Sequence, residues 1–331
     1  MGYRKRGHFF LRVVCFALVV LGVLGALFID IDDYARLEFR IKDLSFSEIL
    51  DFFKIKTSYS PKTEEGLLTI WEIDVGQGKS ILAKNEEHAV LVDAGDVEYG
   101  SRVVNFLRQK DIERLNYLII THPHADHIGG ARKILEALPV DVVMLPKMSK
   151  VIIPTTNIFS NFLDTVKEKK IRIVNPVKGE SFALGKADFE ILSDFDEAFD
   201  LNNLSIVTKI RYKNFAFLST GDIEELAEEE MLKSEGTAAK IKCNVLDVAH
   251  HGSKTSTGLK FLDAANPEVA LISVGINDYG HPSAKVLGRF REKGILYFCT
   301  SKEGTIQVNV FDDHYSVLNS KGEEIKREKL G

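Results

Sequence analysis

Three histidines and one aspartate lie within six consecutive positions of this chain, in the segment HPHADH at residues 122–127. The four side chains are His122, His124, Asp126 and His127. Imidazole nitrogens and carboxylate oxygens are ligands that zinc, manganese and iron prefer. A compact loop with four such groups can serve two metal ions that lie about 3.5–4 Å apart. The loop follows an apolar run and precedes two glycines, which favours a built metal site over a chance cluster of surface histidines.

The remaining ligands must come from elsewhere in the chain, because each of two metal ions takes four or more ligands. Two other segments place candidate ligands directly after apolar, strand-like runs. STGD ends at Asp222, and VAHHGS holds His250 and His251. Loops at strand ends are where active sites gather. We therefore predict that these two loops meet the histidine loop.

Strand-like and helix-like runs alternate around these loops. The strand-like runs are LLTIWEIDVG, SILAK, AVLVDAG, YLII, VDVVMLP, ADFEILS, LSIVTKIRY, FAFLSTGD, NVLDVA, EVALISVG, ILYFCT, TIQVNVF and YSVLN. The helix-like runs are SRVVNFLRQKD, GGARKILEALP, IEELAEEEMLKSEG, TGLKFLDAAN and SAKVLGRFREKG. This order predicts an α/β protein with two sheets, helices on the outer faces and one core.

Several features outside the histidine loop have simple structural interpretations. Trp71 is expected in the core, and the acidic run at 224–230 as a solvated helix face. The tail KGEEIKREKLG is expected to be a solvated end. Cys243 and Cys299 flank apolar runs, so they are interpreted as buried free thiols, with one disulfide as the alternative.

The first thirty residues differ from the rest of the chain. A basic cluster at 4–6 precedes seventeen uncharged, mostly apolar residues at 13–29, just enough to cross a bilayer as a helix. A single membrane anchor is favoured over a cleaved signal peptide, because Leu24 disturbs the best small-residue cleavage pattern. A buried helix is the third alternative. Residues 31–66 are interpreted as a stalk.

This charge pattern orients the chain across the cell membrane. The basic end is expected to stay in the cytoplasm, which puts the rest outside as a single-pass protein, or in the medium if the segment is cleaved. Without residues 1–30 the chain keeps 39 basic and 47 acidic residues, a net charge of −8. Such a balance gives no global attraction to nucleic acid, so local patches or metal ions would have to supply it.

The motifs THPHADH, TGD and AHHGSKTS together resemble those of the metallo-β-lactamase fold of metal-dependent hydrolases. More narrowly, the chain is similar to the hydrolase domain of ComEC-type competence proteins. That similarity rests on DVGQG at 74–78, LVDAG at 91–95, NNLSIV at 202–207 and YGHPS at 279–283. The resemblance implies an αββα sandwich at 67–312, with a closing strand and solvated tail at 313–331.

The resemblance also implies ligands for two divalent metal ions, with Zn²⁺ favoured and Mn²⁺ as the alternative. His122 and His124 would hold the first ion, and Asp126 and His127 the second. Asp222 would bridge both ions.

Three further roles follow from the same resemblance. One of His250 and His251 would complete the second site, with His251 favoured, and the other would face the substrate. Asp93 would orient the liganding histidines, as metal-bound imidazoles usually require.

The sequence departs from the family pattern at two places. The superfamily usually supplies a further histidine to the first site, but no histidine lies between 128 and 249. Asn203 or water would take its place, which predicts a weaker first site. DVGQG is usually followed by an acidic residue, whereas Lys79 follows it here. The segment VGQGK does not have phosphate-loop spacing and is interpreted as a tight turn.

Three weaker candidates have structural alternatives of equal weight. His281 would either reach the active site or cap the helix that follows it. Ser253 and Lys254 would either bind a phosphate or serve as a helix cap and a solvated lysine.

The resemblance implies a phosphodiesterase or nuclease in which two metal ions activate water. Asp126 or a free histidine among His250, His251 and His281 would handle the proton. The expected partners are a phosphodiester, possibly DNA, and the membrane, with no organic cofactor. Alternatives are a hydrolase of a phosphorylated wall polymer, ester, lactone or β-lactam, and a metal-binding accessory domain without turnover. The oligomeric state is left open.

Overall fold

The structure, a computed structural model, describes residues 66–148, 153–193, 200–234 and 236–331, which belong to one unit. The expected anchor at 1–30 and nearly all of the expected stalk at 31–66 lie outside the described residues. Among the helices of the described part, none has the length and apolar character needed to cross a membrane.

The described residues form sixteen strands in two sheets. In chain order they are β1 (Leu68–Glu72), β2 (Ile81–Asn85), β3 (His88–Val92), β4 (Leu115–Ile119), β5 (Val140–Met144), β6 (Arg172–Val174), β7 (Ser181–Leu184), β8 (Ala187–Ile191), β9 (Thr208–Tyr212), β10 (Phe215–Ser219), β11 (Val245–Asp247), β12 (Val269–Ile272), β13 (Leu296–Cys299), β14 (Ile306–Val310), β15 (His314–Leu318) and β16 (Glu324–Lys329). Most are five residues or fewer, a common length for strands in globular proteins.

Helices fill the connections between strands. In the described part they are α1 (Gly100–Gln109), α2 (Ala125–Ile128), α3 (Ala131–Ala137), α4 (Asn157–Glu168), α5 (Glu225–Lys233), α6 (Thr237–Lys240), α7 (Leu259–Ala265), α8 (Ala284–Lys293) and α9 (Thr300–Glu303). Side chains cap some of them: Thr156 accepts from Phe159 at the start of α4, and Ser283 accepts from Val286 at the start of α8.

Both sheets are mixed. The first has the order β16-β15-β14-β1-β2-β3-β4-β5-β6, antiparallel from β16 to β3 and parallel from β3 to β6. The second has the order β13-β12-β11-β10-β9-β8-β7, parallel from β13 to β10 and antiparallel beyond. Each sheet thus joins a meander to parallel strands whose carboxyl ends share one edge.

Three buried layers hold the sheets and helices together. Side chains of both sheets fill the middle layer, including Leu68, Ile70, Val90, Ile119, Phe189, Phe215, Phe217 and Val245. The first sheet packs its other face on α1, α3 and α4, and the second packs its other face on α5, α7 and α8. Each fully buried aliphatic or aromatic side chain contributes about 1.5–3 kcal/mol to this packing. The αββα sandwich expected from the sequence is confirmed.

The tail of the chain is partly built into the first sheet. β16 pairs antiparallel with β15, from His314 opposite Lys329 to Leu318 opposite Glu324. The expectation of a solvated end is therefore wrong for β16. Its charged side chains gave the appearance of a free tail, but they are compatible with an edge strand, where backbone pairing supplies the stabilisation.

Two other structural expectations can be compared with the described residues. Cys243 and Cys299 are buried free thiols, so the disulfide alternative is wrong. The acidic helix face is not wholly solvated, because Glu228 is buried and accepts hydrogen bonds from the backbone N–H groups of Thr257 and Gly258. Glu228 therefore anchors the loop before α7 to α5.

Candidate metal centre

Strand ends from both sheets bring the three predicted loops together. The histidine loop follows β4 in the first sheet, whereas Asp222 and the His250–His251 pair follow β10 and β11 in the second. β10 and β11 are parallel neighbours with Ser219 opposite Asp247, so their two following loops start side by side. The backbone N–H of Ile206 donates to the carbonyl of Thr121 at 3.0 Å and ties the histidine loop to the second sheet.

Four side chains of these loops form a cluster that fits a metal ion. One ligand atom each from Asp126, His127, Asp222 and His251 lie within 4.8 Å of one another. His127 Nε2 is 3.3 Å from Asp222 Oδ2, and His251 Nε2 is 3.2 Å from Asp126 Oδ2. Two imidazoles and two carboxylates are a suitable donor set for a divalent transition metal.

Hydrogen bonds on the outer side of the two imidazoles fix their orientation. His127 Nδ1 lies 2.7 Å from Asp93 Oδ2, and His251 Nδ1 lies 2.7 Å from the carbonyl of Ser273. Both acceptors require the proton on Nδ1, which points each Nε2 into the cluster. Asp93 also accepts from the N–H and hydroxyl of Thr121, so it has the position expected of an orienting carboxylate.

His122 and His124 form a second pair beside this cluster. His122 Nε2 and His124 Nδ1 are 3.0 Å apart. His122 Nδ1 faces the hydroxyls of Thr121 at 3.2 Å and Ser205 at 3.3 Å. Those hydroxyls donate to Asp93 and to the carbonyl of Asn202, so each can only accept from His122. The proton of His122 is therefore assigned to Nδ1, so Nε2, which faces His124, keeps a lone pair that could bind a metal.

Gly221 sets the position of Asp222. It has a φ of +54°, and a Cβ there would meet Ser205 Oγ at 2.7 Å. A side chain at this position would therefore be strained and would displace the serine that contacts His122. The backbone N–H of Asp222 in turn donates to Ser205 Oγ at 3.0 Å. One hydroxyl thus couples the Asp222 loop to the first histidine.

Opposite charges in the cluster shift the pKa values of its members. Burial raises the pKa of Asp222, but His127 and His251 outweigh it and hold that pKa well below its ordinary value. Burial lowers the pKa of His127, but Asp222 and Asp93 outweigh it and hold that pKa well above its ordinary value. A divalent cation bound among these groups would neutralise the same carboxylates.

His250 and His281 lie at the edge of the cluster. His250 Nδ1 is 3.2 Å from Glu224 Oε1, and its Nε2 is 4.0 Å from Asp222. The His281 ring centroid is 5.5 Å from that of His250. Burial, with His250 and His251 nearby, lowers the pKa of His281 to about 4, so this imidazole is neutral at physiological pH. Both histidines face the cleft above the cluster.

The structure places Asn203 and Ser253 in structural hydrogen bonds. The amide of Asn203 donates to Asp200 at 2.8 Å and accepts from the backbone N–H of Glu224 at 2.9 Å. Both amide atoms of Asn203 therefore have protein partners, which gives no support to the expectation that Asn203 replaces the missing histidine. Ser253 Oγ lies 2.9 Å from Thr255 Oγ1 and is buried.

Lys254 is likewise outside the cleft over the cluster. Its exposed side chain lines a separate cavity of about 450 Å³, beside Asn203 and Lys285. The phosphate-binding alternative for Ser253 and Lys254 therefore receives no support from the geometry at the metal centre.

Lys79 carries a structural role that sequence reasoning missed. Its side chain is fully buried, with Nζ 2.9 Å from Asp247 Oδ1 and 3.0 Å from Oδ2. Nζ also donates to the carbonyls of Gly221 at 3.0 Å and Val248 at 3.2 Å. Lys79 therefore clamps the two loops that carry Asp222 and His251. The only sign of this role in the sequence was the unexpected lysine after DVGQG. Its partner Asp247 is distant in the sequence, so the ion pair could not be predicted.

An open cleft of about 960 Å³ lies over the cluster. The charged residues that line it are mostly acidic. Among the described lining residues, Arg102 is the one arginine, and there is no lysine. The acidic residues are Asp74, Asp96, Glu98, Asp126, Asp222 and Asp278. Tyr279 and Ile276 are largely exposed at this cleft. The cleft is large enough for a small organic phosphate or the end of a polymer.

An αββα sandwich with aspartate and histidine loops at the strand ends defines a class of metal-binding hydrolase folds. The chain belongs to the metallo-beta-lactamase superfamily, whose family profile matches residues 73–276. It is similar to ComE operon protein 3 of Bacillus subtilis, at 32% identity over 71% of this chain and 32% of that protein. It is also similar to competence protein ComA of Neisseria gonorrhoeae, at 28% identity over 76% of this chain and 33% of that protein.

The chain therefore spans about a third of the length of these curated relatives. Among solved structures, it is similar to the metallo-beta-lactamase fold protein YhfI from Bacillus subtilis. That match has 10% identity and a TM-score of 0.47, and covers 72% of this chain and 99% of YhfI. The expected similarity to ComEC-type competence proteins is confirmed.

Proposed function

We propose that this protein is an extracytoplasmic, metal-dependent phosphodiesterase that cleaves nucleic acid strands. The observation that carries the proposal is the cluster of Asp126, His127, Asp222 and His251 at the floor of an open cleft. Similarity to competence protein ComA of Neisseria gonorrhoeae supports a nucleic acid as the substrate. The proposal is made for this chain alone, since it spans only a third of its curated relatives.

Two divalent metal ions fit the site. His127 Nε2 and Asp222 Oδ1 are buried without a hydrogen-bond partner among the described residues, a costly arrangement unless a cation completes it. The second ion would be held by Asp126, His127, Asp222 and His251, and the first by His122, His124 and Asp222. When bound, the ions would lower the pKa of water and neutralise charge on the phosphate oxygens. Zn²⁺ and Mn²⁺ both suit these ligands.

The side chains above the cluster would position the substrate and move a proton. His250 Nδ1 lies 3.2 Å from Glu224 Oε1 and the residue lines the cleft, so its imidazole could contact a phosphate oxygen or the leaving oxygen. His281 is neutral near pH 7 and can donate or accept one hydrogen bond without competing with the metals for charge. Asp126, with 30% of its side chain exposed, lines the cleft and could accept a hydrogen bond from an attacking water.

The acidic cleft limits the kind of nucleic acid that fits. The lining carries six carboxylates against one arginine, so a long polyanion is attracted only where metal ions offset that charge. The exposed ring of Tyr279, 5.8 Å from the ring of His281, can stack on a base beside the centre. These features favour a strand end or a short single strand over the middle of a duplex.

The proposed location rests on the sequence of residues 4–29. The basic cluster followed by an apolar run is typical of a segment that directs the following domain across the membrane. We propose a single-pass membrane protein with its hydrolase domain outside the cell. Protease treatment of intact cells should digest the domain in this arrangement. Protection from protease until the cells are lysed would contradict it.

Hydrolysis by the reconstituted protein tests the proposed activity. The purified chain would be loaded with Zn²⁺ or Mn²⁺ and assayed on single-stranded DNA, double-stranded DNA and bis-p-nitrophenyl phosphate. We expect cleavage of single-stranded DNA and of the small diester. His124→Ala and Asp222→Ala should each abolish it while the chain stays folded.

Other outcomes would redirect the proposal. Cleavage of the small diester but not of DNA would indicate another surface phosphodiester, such as a phosphorylated wall polymer. Turnover of a carboxylic ester, lactone or β-lactam alone would contradict phosphodiester chemistry. Bound metal with no hydrolysis of any of these substrates would indicate an accessory role.

A further inference from the structure

The two metal sites of the proposed centre have unequal ligand sets. The second site has four protein ligands within reach. The first has the two imidazoles of His122 and His124 and a share of Asp222, and no histidine between 128 and 249 can be added. A transition metal takes four or more ligands, so the first site lacks at least one donor.

Asn202 carries an amide oxygen that could serve as the missing donor. Its Oδ1 is buried and has no hydrogen-bond partner among the described residues. Asn202 lines the same cleft as His124, Asp126 and Asp222. Buried amide oxygens are normally hydrogen-bonded, and leaving one unpaired costs about 1–3 kcal/mol. The metal ligands His127 Nε2 and Asp222 Oδ1 show the same unpaired state.

The local hydrogen bonds hold Asn202 beside the first histidine. Asn202 begins a 3₁₀ turn, Asn202–Leu204, and its carbonyl accepts from Ser205 Oγ at 2.7 Å. The same hydroxyl lies 3.3 Å from His122 Nδ1 and accepts from the N–H of Asp222 at 3.0 Å. One serine thus fixes Asn202 relative to a ligand of the first ion and to the bridging carboxylate.

The neighbouring Asn203 shows that this placement is specific to Asn202. The amide of Asn203 is hydrogen-bonded to Asp200 and Glu224, and Asn203 lines the other cavity. The two adjacent asparagines therefore have different roles in the turn. Asn203 holds the turn together, whereas Asn202 lines the metal cleft and has an unpaired amide oxygen.

We propose that Asn202 Oδ1 is a ligand of the first metal ion, in place of the imidazole that this fold usually supplies. The inference rests on the dinuclear centre of the proposed function, but not on its substrate. A neutral amide oxygen is a harder donor than an imidazole, and it makes the first site weaker for Zn²⁺ than three histidines would. Substitution of Asn202 should therefore change the metal affinity of the first site and leave that of the second site unchanged.

Metal titration of the full-length, detergent-solubilised protein tests the inference without any substrate. Co²⁺ binding would be followed by visible absorption and by calorimetry, first for the parent protein and then for Asn202→Leu, Asn202→Asp and Asn202→His. The parent should bind two ions, one more weakly. Asn202→Leu should lower the affinity for the weaker ion by more than about tenfold. Replacing residues that only orient ligands already lowers metal affinity by about 10–100-fold. Asn202→Asp and Asn202→His should raise the affinity for the same ion.

Asn277→Ala is the matched control, because Asn277 lines the same cleft but its amide is hydrogen-bonded to Gly275 and His281. Both Co²⁺ affinities should be unchanged in this variant. If Asn202→Leu binds each of the two ions as tightly as the parent does, Asn202 is not a ligand. The dinuclear centre would then still stand. If the parent protein binds fewer than two ions, both the role of Asn202 and the dinuclear centre are overturned.

Discussion

At the residue scale, His250 and His251 are adjacent in the chain but lie in different surroundings. Both have left-handed backbone angles, with φ of 50° and 55°. This conformation is rare for residues with a Cβ, and it is usually kept only where function requires it. The turn buries His251 in the cluster and leaves His250 beside Glu224 at the cleft. The pair therefore has two separate tasks.

Alanine variants of the two histidines should separate metal binding from turnover. His251→Ala removes an imidazole from the cluster, so the affinity of one metal ion should fall by more than about tenfold. His250→Ala removes only a group that faces substrate, so both metals should stay while kcat falls. Metal content after dialysis and kcat on a small diester measure the two effects. Loss of metal from His250→Ala with full retention in His251→Ala would reverse the assignment.

The residue types of the site could be predicted from the sequence, but their division of labour could not. The HxHxDH loop, Asp222 and the His250–His251 pair all meet at one place, as expected. Neither the order of the two histidines nor the choice between Asn202 and Asn203 follows from sequence. In each case the two residues sit in a turn, where direction depends on backbone angles rather than on a regular period.

At the element scale, one buried ion pair fixes three loops. Lys79 lies in the turn after β1 and pairs with Asp247 at the end of β11. Burial alone would lower the pKa of Lys79, but the Asp247 and Asp222 carboxylates outweigh it and hold the pKa above its ordinary value. The charged lysine can thus donate to Asp247, to Gly221 and to Val248 at once.

Removal of one partner of this pair should cost more than removal of both. Lys79→Met leaves Asp247 as an unpaired buried charge, so the free energy of unfolding should fall by about 3–5 kcal/mol. Lys79→Met with Asp247→Asn removes both charges and should recover part of that loss. Urea unfolding of the two variants and the parent provides the comparison. A double variant no more stable than Lys79→Met would contradict the ion-pair interpretation.

The buried Glu228 makes the packing of α5 on α7 sensitive to pH. Burial raises the pKa of Glu228 to about 7, although two backbone N–H groups oppose the shift. Between about pH 4.5 and 7 the unfolded chain loses this proton while the folded chain keeps it. Stability from Glu228 is therefore complete below about pH 4.5 and lost as the pH rises through 7, a decline on the order of 3 kcal/mol.

Glu228→Gln removes the titrating group and should remove this part of the pH dependence, although its amide nitrogen cannot accept one of the two backbone N–H groups, so the variant should be less stable at every pH. The melting temperature of the variant should fall less than that of the parent between pH 5 and 8. Glu229→Gln, on the neighbouring residue whose side chain is 50% exposed, provides the control and should follow the parent. Parallel curves for Glu228→Gln and the parent would show that Glu228 is already ionised in the folded protein.

The long elements of the fold could be predicted from sequence, and the missed ones have identifiable reasons. A buried strand such as β12, with the sequence VALI, is a continuous apolar run. The α4 helix and the short strands β6 and β7 were not predicted, although α4 has an amphipathic pattern and a Thr156 cap. β6, β7 and β16 are edge strands with exposed side chains, so they lack the burial period that identifies a strand.

At the scale of the whole molecule, the metal centre joins the two sheets. His122, His124, Asp126 and His127 follow the first sheet, whereas Asp222 and His251 follow the second. Asp126, His127, Asp222 and His251 converge at this seam with ligand atoms within 4.8 Å of one another, so a bound cation would link the loops of both sheets. Metal binding should therefore contribute directly to the stability of the sandwich.

Removal of metal should lower the melting temperature of the whole domain. At a free metal concentration of about 100 times Kd, one bound ion stabilises the folded state by about 2.7 kcal/mol. Treatment with a chelator should lower the melting temperature in the parent, and added Zn²⁺ or Mn²⁺ should restore it. Asp222→Ala should be insensitive to both treatments. An equal response of the parent and Asp222→Ala would place the effect outside the proposed centre.

The most direct test of the central claim is anomalous diffraction from a crystal of the metal-loaded protein, recorded at the absorption edge of the added metal. Two peaks about 3.5–4 Å apart are expected at the floor of the cleft. One should lie among Asp126, His127, Asp222 and His251, and the other beside His122 and His124. Peaks elsewhere on the protein with none at this cluster would contradict a dinuclear metal centre at the seam of the sandwich.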